Sequence, residues 1–472
     1  IDDIYDELVI TSPAMTYFVW SEEEYNNNTN QTLAKHSAIS LAPELVKVSK
    51  SALDQYHRRE WTQTLLYIYT SGTTGGKVKA AIQSDGRMIG SAVGLSLFMG
   101  IKNNDNIYIS TPLYHTLAIM LGINFCLING TTITIADKFS ASQFWSDCVR
   151  QQCTIALYIG EMCRYLLSQT PKPEDTRHTI RTMVGIGLRK EYWKQFKTRF
   201  AINRVIEYYS ASEANLFTIN FTNKEGACGF IPWYYLGLVK LLYSASIIRV
   251  DPITLEPIRN SKGVCKSIRP GGAGVLVGIH RDNDVIREFK GYTNEEETKK
   301  KLIRDVRSRG DCGFFTGDMI RMDHYGYLYF VDRLGDTFRY KGENVSTTDV
   351  EAVIQSCLNL KDCMVFGVTV GQSEGKAGMA VINANPNEID LQELAQQLSR
   401  RLPSYAIPLF IKLTADIEVT GTFKLIKYKL QNMGFTPQSN DDFIAVYDKN
   451  INSYKRMTNE IYESILTGEM QI

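Results

Sequence analysis

Between residues 65 and 219, short runs of alternating or continuous apolar residues trade places with stretches whose apolar positions recur every three or four residues. The runs at 107–110 and 131–136 read as strands, and the segments 141–152 and 190–200 read as helices. Strands that alternate with helices predict a mostly parallel sheet with helices on its faces. The run Leu65-Leu66-Tyr67-Ile68-Tyr69 reads as a buried strand at the head of this region. Residues 246–290 are rich in Val, Ile and Gly and carry the turn dipeptides Asp251-Pro252 and Pro270-Gly271, so they predict an antiparallel β-subdomain.

The strand Tyr327-Leu328-Tyr329-Phe330-Val331 then runs into Asp332-Arg333-Leu334-Gly335-Asp336, where charges and a glycine break the apolar pattern. A domain boundary is expected there. Beyond it, helical spacing at 348–357 and 391–402 and strand patterns at 363–369 and 379–382 predict a compact α+β unit. The expected fold class is α/β. A large N-terminal domain of parallel α/β sheet plus a β-subdomain (1–332) precedes a small, mobile C-terminal α+β domain (333–472). Residues 1–62 carry no nameable chemistry and read as a partial domain.

A chain of 472 residues exceeds what one core usually supports, which agrees with two domains. The formal net charge of +1 argues against nucleic acid as the main partner. Nine cysteines lie scattered with no C-x-x-C pair, so neither a zinc site nor a disulfide framework is indicated, and reduced thiols fit best. No uninterrupted apolar run approaches the ~18 residues of a spanning helix. Residue 1 is an isoleucine and no signal-peptide pattern follows, so the chain is expected either to begin inside a longer precursor or to lack a targeting segment.

Directly after the first apolar strand comes Thr70-Ser71-Gly72-Thr73-Thr74-Gly75-Gly76-Lys77-Val78-Lys79. Glycines let bare backbone N–H groups approach an anion, the hydroxyls add donors, and Lys77 or Lys79 adds charge, which together make a phosphate grip. The hydroxyls precede the lysine, so the stretch does not fit the Walker pattern. The bland alternative is a solvated Ser/Thr/Gly turn. His115, in Thr111-Pro112-Leu113-Tyr114-His115, follows a strand end, where α/β sheets hold ligand contacts. Alone, that histidine reads equally well as a structural hydrogen-bond partner.

The loop resembles the phosphate-binding loop of the adenylate-forming enzymes, the superfamily of acyl-CoA synthetases, luciferases and peptide-synthetase adenylation domains. Gly76-Lys77-Val78-Lys79 departs from the family's x-Pro-Lys by one extra residue and a missing proline. Lys79 matches the family lysine, with Lys77 as the substitute. Further motifs follow in family order: Pro112 to His115, the glycine-rich turn Gly185-Ile186-Gly187-Leu188-Arg189, and the segment Tyr208-Tyr209-Ser210-Ala211-Ser212-Glu213. Thr316-Gly317-Asp318, Asp332-Arg333 and Glu418-Val419-Thr420-Gly421-Thr422-Phe423-Lys424 complete the set. Ser210 and Ser212 stand where the family has glycine and threonine.

The stretch Gly335-Asp336-Thr337-Phe338-Arg339-Tyr340-Lys341-Gly342-Glu343-Asn344-Val345 narrows the resemblance to the long-chain fatty acid transport proteins, which double as very-long-chain acyl-CoA synthetases. Residues 139–145, 158–161 and 403–406 support that branch, and the similarity runs from about residue 64 to the end.

The resemblance implies a ligase that uses ATP, Mg2+ and CoA to activate a long-chain fatty acid through an acyl-adenylate. It implies that Thr70, Ser71, Gly72, Thr73, Thr74, Gly75, Lys79 and Ser212 meet the phosphates and that His115 is a further cofactor contact. Gly187 and Tyr209 would meet the adenine, and Asp318 and Arg333 the ribose and nucleotide. Glu213 would bind Mg2+, and Gly342 would line the pantetheine path. Lys424, Glu213 and Thr73 are the implied catalytic groups. A lipid-uptake protein with weak or no ligase activity, or a bile-acid ligase, are the alternatives. Membrane association at the plasma membrane, endoplasmic reticulum or peroxisome, with a cytosolic catalytic domain, follows from the family alone, and the oligomeric state is left open.

Overall fold

The computed structural model describes residues 18–19, 39–40, 59–70, 79–232, 244–252, 254–281, 284–286, 289–370, 375–415, 417–421, 425–439, 442–467 and 469–470. Two compact units divide the chain at residue 59. In the first, strands β1 (Phe18–Val19) and β2 (Ile39–Ser40) pair in parallel. The second, residues 60–472, holds every other element below, so the boundary expected near residue 332 falls inside it.

Strands β3 (Thr64–Thr70) and β4 (Lys79–Ser84) form an antiparallel hairpin whose last register pair is Thr70 with Lys79. This corrects the buried strand expected at 65–69. Side chains alternate across a two-stranded ribbon, so Ile68 is 2% exposed while Leu65, Tyr67 and Tyr69 are 41%, 53% and 63% exposed. A short apolar run cannot by itself separate these cases.

Strands β5 (Asn106–Ile109), β6 (Thr132–Ile135), β7 (Ile155–Ile159), β8 (Thr182–Ile186), β9 (Arg204–Ser210) and β10 (Phe217–Asn220) make the central sheet, in the order β10-β9-β8-β7-β5-β6. All its pairings are parallel except β9 with β10. The parallel strand β7, Ile-Ala-Leu-Tyr-Ile, is buried at every position, as a sheet covered on both faces requires. The helices Asp85–Met99, Gly160–Ser168 and Lys190–Arg199 contribute to its core through residues such as Leu95, Met162 and Trp193. Ser84 caps the first of these helices by accepting from the Arg87 amide, and left-handed Gly100 ends it.

The second sheet joins β11 (Gly229–Phe230), β12 (Ala245–Ile248), β13 (Ala273–Ile279), β14 (Leu302–Arg304), β15 (Cys312–Met322) and β16 (Tyr327–Arg333), all antiparallel. It is the antiparallel subdomain expected from 246–290, and it extends through Arg333. The hairpin β17 (Phe338–Tyr340) and β18 (Glu343–Val345) follows, turning through Lys341 and Gly342, both at positive φ.

The helix Thr347–Cys357 leads into the third sheet, in the order β19 (Cys363–Val368), β20 (Ala377–Asn383), β21 (Phe410–Thr414), β22 (Phe443–Asp448) and β23 (Ser453–Arg456). Only β20 and β21 run parallel in it. Its two faces carry separate apolar clusters, one with Ile354 and Leu394, the other with Phe410 and Phe435. The architecture is the α/β fold expected, with a parallel sheet, an antiparallel subdomain and a further α+β sheet. Among the described residues no helix is long and apolar enough to cross a membrane.

Candidate active site

Parallel strands bring their carboxyl ends to one edge of the sheet, and ligands of open α/β sheets bind outside that edge. Here β5, β8 and β9 deliver the loop with His115, the turn 185–189 and the segment 209–213 to it. The turn sits tightly against the start of the Gly160–Ser168 helix. A Cβ on Gly160 would stand 1.7 Å from the Gly187 carbonyl oxygen, and Gly187 itself has φ +84°. Both positions therefore require glycine.

Glu207, on β9, fastens this turn from below. Its carboxylate accepts from the amides of Gly187 and Leu188 and from the Tyr158 hydroxyl. Burial pushes the Glu207 carboxyl up to about 8, against those three donors, which favour its ionised form. The sequence reading passed over Glu207. Its signal was a lone acid in the apolar strand Val205-Ile206-Glu207-Tyr208.

Three expected nucleotide residues meet. The Tyr209 hydroxyl donates to Asp318 Oδ2 at 2.5 Å, and Arg333 Nε lies 3.4 Å from Asp318 Oδ1. Asp318 and Arg333 face each other because β15 and β16 pair them in register. Burial raises the Asp318 carboxyl from the ordinary range, against the charge of Arg333 and the Tyr209 hydrogen bond. Asp318 N donates to Thr316 Oγ1 at 3.0 Å, and Thr316 Oγ1 donates to Leu276 O at 2.7 Å, which steadies the turn.

A second group forms around Glu213. Tyr292 OH donates to Glu213 Oε1 at 2.8 Å, and Lys79 Nζ lies 5.5 Å from the centre of the Tyr292 ring. Lys79 also pairs with Glu297 Oε2 at 2.5 Å, and Lys300 with Glu297 Oε1 at 2.6 Å. Hydrogen bonds from Lys300 and then Lys79 hold the Glu297 carboxyl down at about 2. Behind Glu213, Arg87 donates to Ala211 O, and burial pulls its guanidinium down to about 10 while Glu213 opposes that fall. Ser212 Oγ and Thr116 Oγ1 are 2.7 Å apart, and Gln83 Nε2 donates to Ser212 O at 2.7 Å.

Arg87, Gln83, Thr116, Tyr292 and Glu297 were all missed by the sequence reading. Only Arg87 left a signal, as a lone cation in a helix start of small and apolar residues. His115 Nδ1 accepts from the Leu117 amide at 3.3 Å, capping a short turn of helix. Thr70 Oγ1 donates to Lys79 O at 3.2 Å and closes the β3–β4 hairpin.

Ser71, Gly72, Thr73, Thr74, Gly75 and Lys424 lie outside the described residues. Val419 and Leu425 bridge to each other on either side of Lys424, and a Cβ on Gly421 would stand 2.3 Å from the Tyr114 hydroxyl, next to His115. Gly342 sits in the β17–β18 turn, where a Cβ would meet nothing within 4 Å. No described contact joins it to the groups above.

The arrangement suits a nucleotide. An aromatic ring, a half-buried carboxylate paired with a guanidinium, and hydroxyls with a lysine offer partners for a base, a ribose and phosphates respectively. Among the described residues no three potential ligands cluster around a metal site. The half-buried Glu213 carboxylate is the kind of hard oxygen donor through which Mg2+ is held beside phosphates while it keeps most of its waters.

Comparison with known proteins agrees with this chemistry. Residues 9–239 match the AMP-binding enzyme family, and residues 349–424 match the AMP-binding enzyme C-terminal domain. The chain is 39% identical over 432 residues to long-chain fatty acid transport protein 1 of Rattus norvegicus, covering 92% of this chain and 66% of that protein. It is 41% identical over 412 residues to long-chain fatty acid transport protein 6 of Mus musculus, covering 87% and 65%. The chain thus spans just under two thirds of the length of these relatives.

Its fold is similar to that of ATP-bound MatB from Rhodopseudomonas palustris, with a TM-score of 0.69 at 20% identity over 91% of this chain and 81% of that one. It is also similar to o-succinylbenzoate CoA synthetase from Bacillus subtilis in complex with an acyl-adenylate, with a TM-score of 0.68 at 21% identity over 91% and 80%.

Proposed function

This chain belongs to the AMP-binding enzymes, on the branch of the long-chain fatty acid transport proteins, and from that premise we propose that it ligates long- or very-long-chain fatty acids to CoA, coupled to fatty acid uptake. The observation that carries this reading is the contact of Tyr209, Asp318 and Arg333 at the carboxyl end of β9. In the first half-reaction a carboxylate oxygen of the fatty acid attacks the α-phosphorus of ATP and pyrophosphate leaves. In the second, the CoA thiolate attacks the acyl carbon and AMP leaves. No covalent enzyme intermediate is needed.

This chain's own residues hold and orient. Asp318 accepts the ribose hydroxyls, Tyr209 covers the adenine beside the Gly187 turn, and Arg333 fixes the nucleotide. Thr70 to Gly75, Lys79 and Ser212 bind the phosphates, with Thr73 on the transferring group, and His115 is a further cofactor contact. Glu213 holds Mg2+, which when bound neutralises phosphate charge. Lys424 stabilises charge that develops as the carboxylate attacks.

For the second half-reaction residues 333–472 would turn as a domain about 333–336, bringing Gly342 to the pantetheine path. Membrane association is proposed from the relatives' names alone. A second reading, fatty acid binding without activation, is favoured by the extra residue in the loop 71–79 and by Ser210 and Ser212.

The test is fatty-acid-dependent pyrophosphate release with ATP and Mg2+, in the native chain and in Lys424→Ala. Release that the substitution abolishes supports ligation. Release only after restoring Gly-Leu-Pro-Lys across residues 75–79 supports the binding reading.

A further inference from the structure

Lys79 opens β4 with its backbone fixed and its side chain less so. It stands opposite Thr70 as the last register pair of the hairpin, and its carbonyl accepts from the Thr70 hydroxyl. The side chain is a compact charge on a flexible four-carbon stem. Its ammonium lies 2.5 Å from Glu297 Oε2 and 5.5 Å from the centre of the Tyr292 ring. That ring's hydroxyl donates to Glu213 at 2.8 Å, so one aromatic side chain separates the lysine from the Glu213 carboxylate.

Backbone contacts place Glu297 against Lys79. Ile82 N donates to Gly291 O and Thr293 N donates to Ala80 O, with Ala81 bridged to Tyr292, so the segment 291–293 runs alongside β4. Asn294 then caps the helix Glu295–Lys299 by accepting from the amides of Glu296 and Glu297, and Thr298 Oγ1 accepts from the Tyr292 amide. The Glu297 carboxylate serves two cations, Lys79 on Oε2 and Lys300 on Oε1 at 2.6 Å. Lys300 still matches its charge when Lys79 turns away, so releasing Lys79 strands no unpaired carboxylate. The Lys79 and Glu297 side chains are 25% and 24% exposed, and an ion pair open to water is weak enough to exchange.

We propose that Glu297 is a positioning residue for Lys79, a built-in anion that competes with the β- and γ-phosphates of ATP for the ammonium and takes it back as pyrophosphate leaves. The inference rests on the reading of Lys79 as a phosphate ligand. Two anions drawn to one ammonium repel each other, so each weakens the other's hold on it. Hydrogen bonds from Lys300 and Lys79 keep the Glu297 carboxyl down at about 2, so near neutral pH it stays ionised and a competing anion is what frees the lysine. Lys79 stands one ring from Glu213, the carboxylate assigned to Mg2+, and a metal-bound triphosphate presents its β- and γ-oxygens on the metal's side. Those are the phosphates that leave, and AMP lacks them. Glu297 therefore sets affinity for ATP and leaves affinity for AMP alone.

The experiment measures binding of ATP and of AMP by isothermal titration calorimetry, with Mg2+ and at fixed ionic strength. It uses the full chain, Glu297→Gln, Lys79→Met and the double variant. Glu297→Gln should bind ATP about twofold to fivefold more tightly, the range of a partly exposed ion pair, with AMP affinity and Tm unchanged. In the Lys79→Met background the same substitution should leave ATP affinity where it was. A merely structural role for Glu297 would move both nucleotides together. ATP affinity unchanged or weakened in Glu297→Gln, an equal gain for AMP, or an equal gain without Lys79 would overturn the proposal while leaving the nucleotide reading intact. Failure of the native chain and of Glu297→Gln to bind either nucleotide would overturn that reading and the proposal with it.

Discussion

Replacing Glu207 by glutamine isolates one buried titrating group that sits directly under the turn 185–189. In the folded chain the Glu207 carboxyl titrates at about 8, whereas the ordinary value is 4.5. Between those values the folded state keeps a proton that the unfolded state has lost. The slope of unfolding free energy with pH follows protons bound unfolded minus folded, so this group makes stability fall as pH rises from 4.5 to 8. The contribution is fully present below 4.5 and gone above 8. A difference of about 3.5 at ~1.36 kcal/mol each sets the swing at about 5 kcal/mol.

Glutamine removes the titration with little else. Its carbonyl still accepts from the Gly187 amide, and the Tyr158 hydroxyl can turn from donor to acceptor for the new NH2. The assay is the urea midpoint of both proteins at matched pH values across that window. Comparing the two at each pH cancels titrations elsewhere in the chain. The wild type should lose ground to Glu207→Gln with rising pH, most steeply near the middle of the window and levelling off toward either end. A gap that stays level across the window would refute the reasoning.

Tyr209→Phe removes a hydrogen bond to a carboxylate worth about 1.5–3 kcal/mol, so KM for ATP should rise at least tenfold while kcat changes less, as steady-state kinetics would read. Gly160→Ala drives a methyl group into the Gly187 carbonyl and should cost about 1–3 kcal/mol, seen as a lower Tm together with weaker nucleotide binding. Glu351→Gln leaves Arg189 and Lys427 facing a neutral amide. Losing one member of such a buried cluster costs about 3–5 kcal/mol, and limited proteolysis near 333–348 should accelerate in proportion.

Element types were legible wherever period and length agreed, as in β5, β6 and the helices Lys190–Arg199 and Leu391–Arg401. The exception at 65–69 arose because an apolar run carries no record of how many neighbours its strand has. Legibility of the site divides by the kind of contact. Asp318 and Arg333 lie within one hairpin, so a sequence motif carries both and the register does the rest. Tyr292 and Glu297 reach Glu213 and Lys79 from residues far along the chain, through a bridge between Tyr292 and Ala81. No local pattern encodes such a meeting. Glu207 was visible as a residue and silent as a role, since two of its three partners are backbone amides that no side-chain motif announces, and the third, Tyr158, lies far along the chain.

The buried charges also bear on how a rotating C-terminal domain could work. Arg189, Glu351 and Lys427 form one cluster across the junction, and Arg164 with Asp362 forms a second. Carboxylate and guanidinium held in low dielectric do not yield gradually. A small displacement loses hydrogen bonds before it regains water, so the docked orientation is a discrete state. Substrate can move such an equilibrium only by its difference in affinity for the two states. About 5.5 kcal/mol of difference is needed to carry a population from 1:99 to 99:1. On the ligase reading, that difference must come from contacts that pyrophosphate release breaks and CoA makes, with the clamps setting the threshold both must exceed.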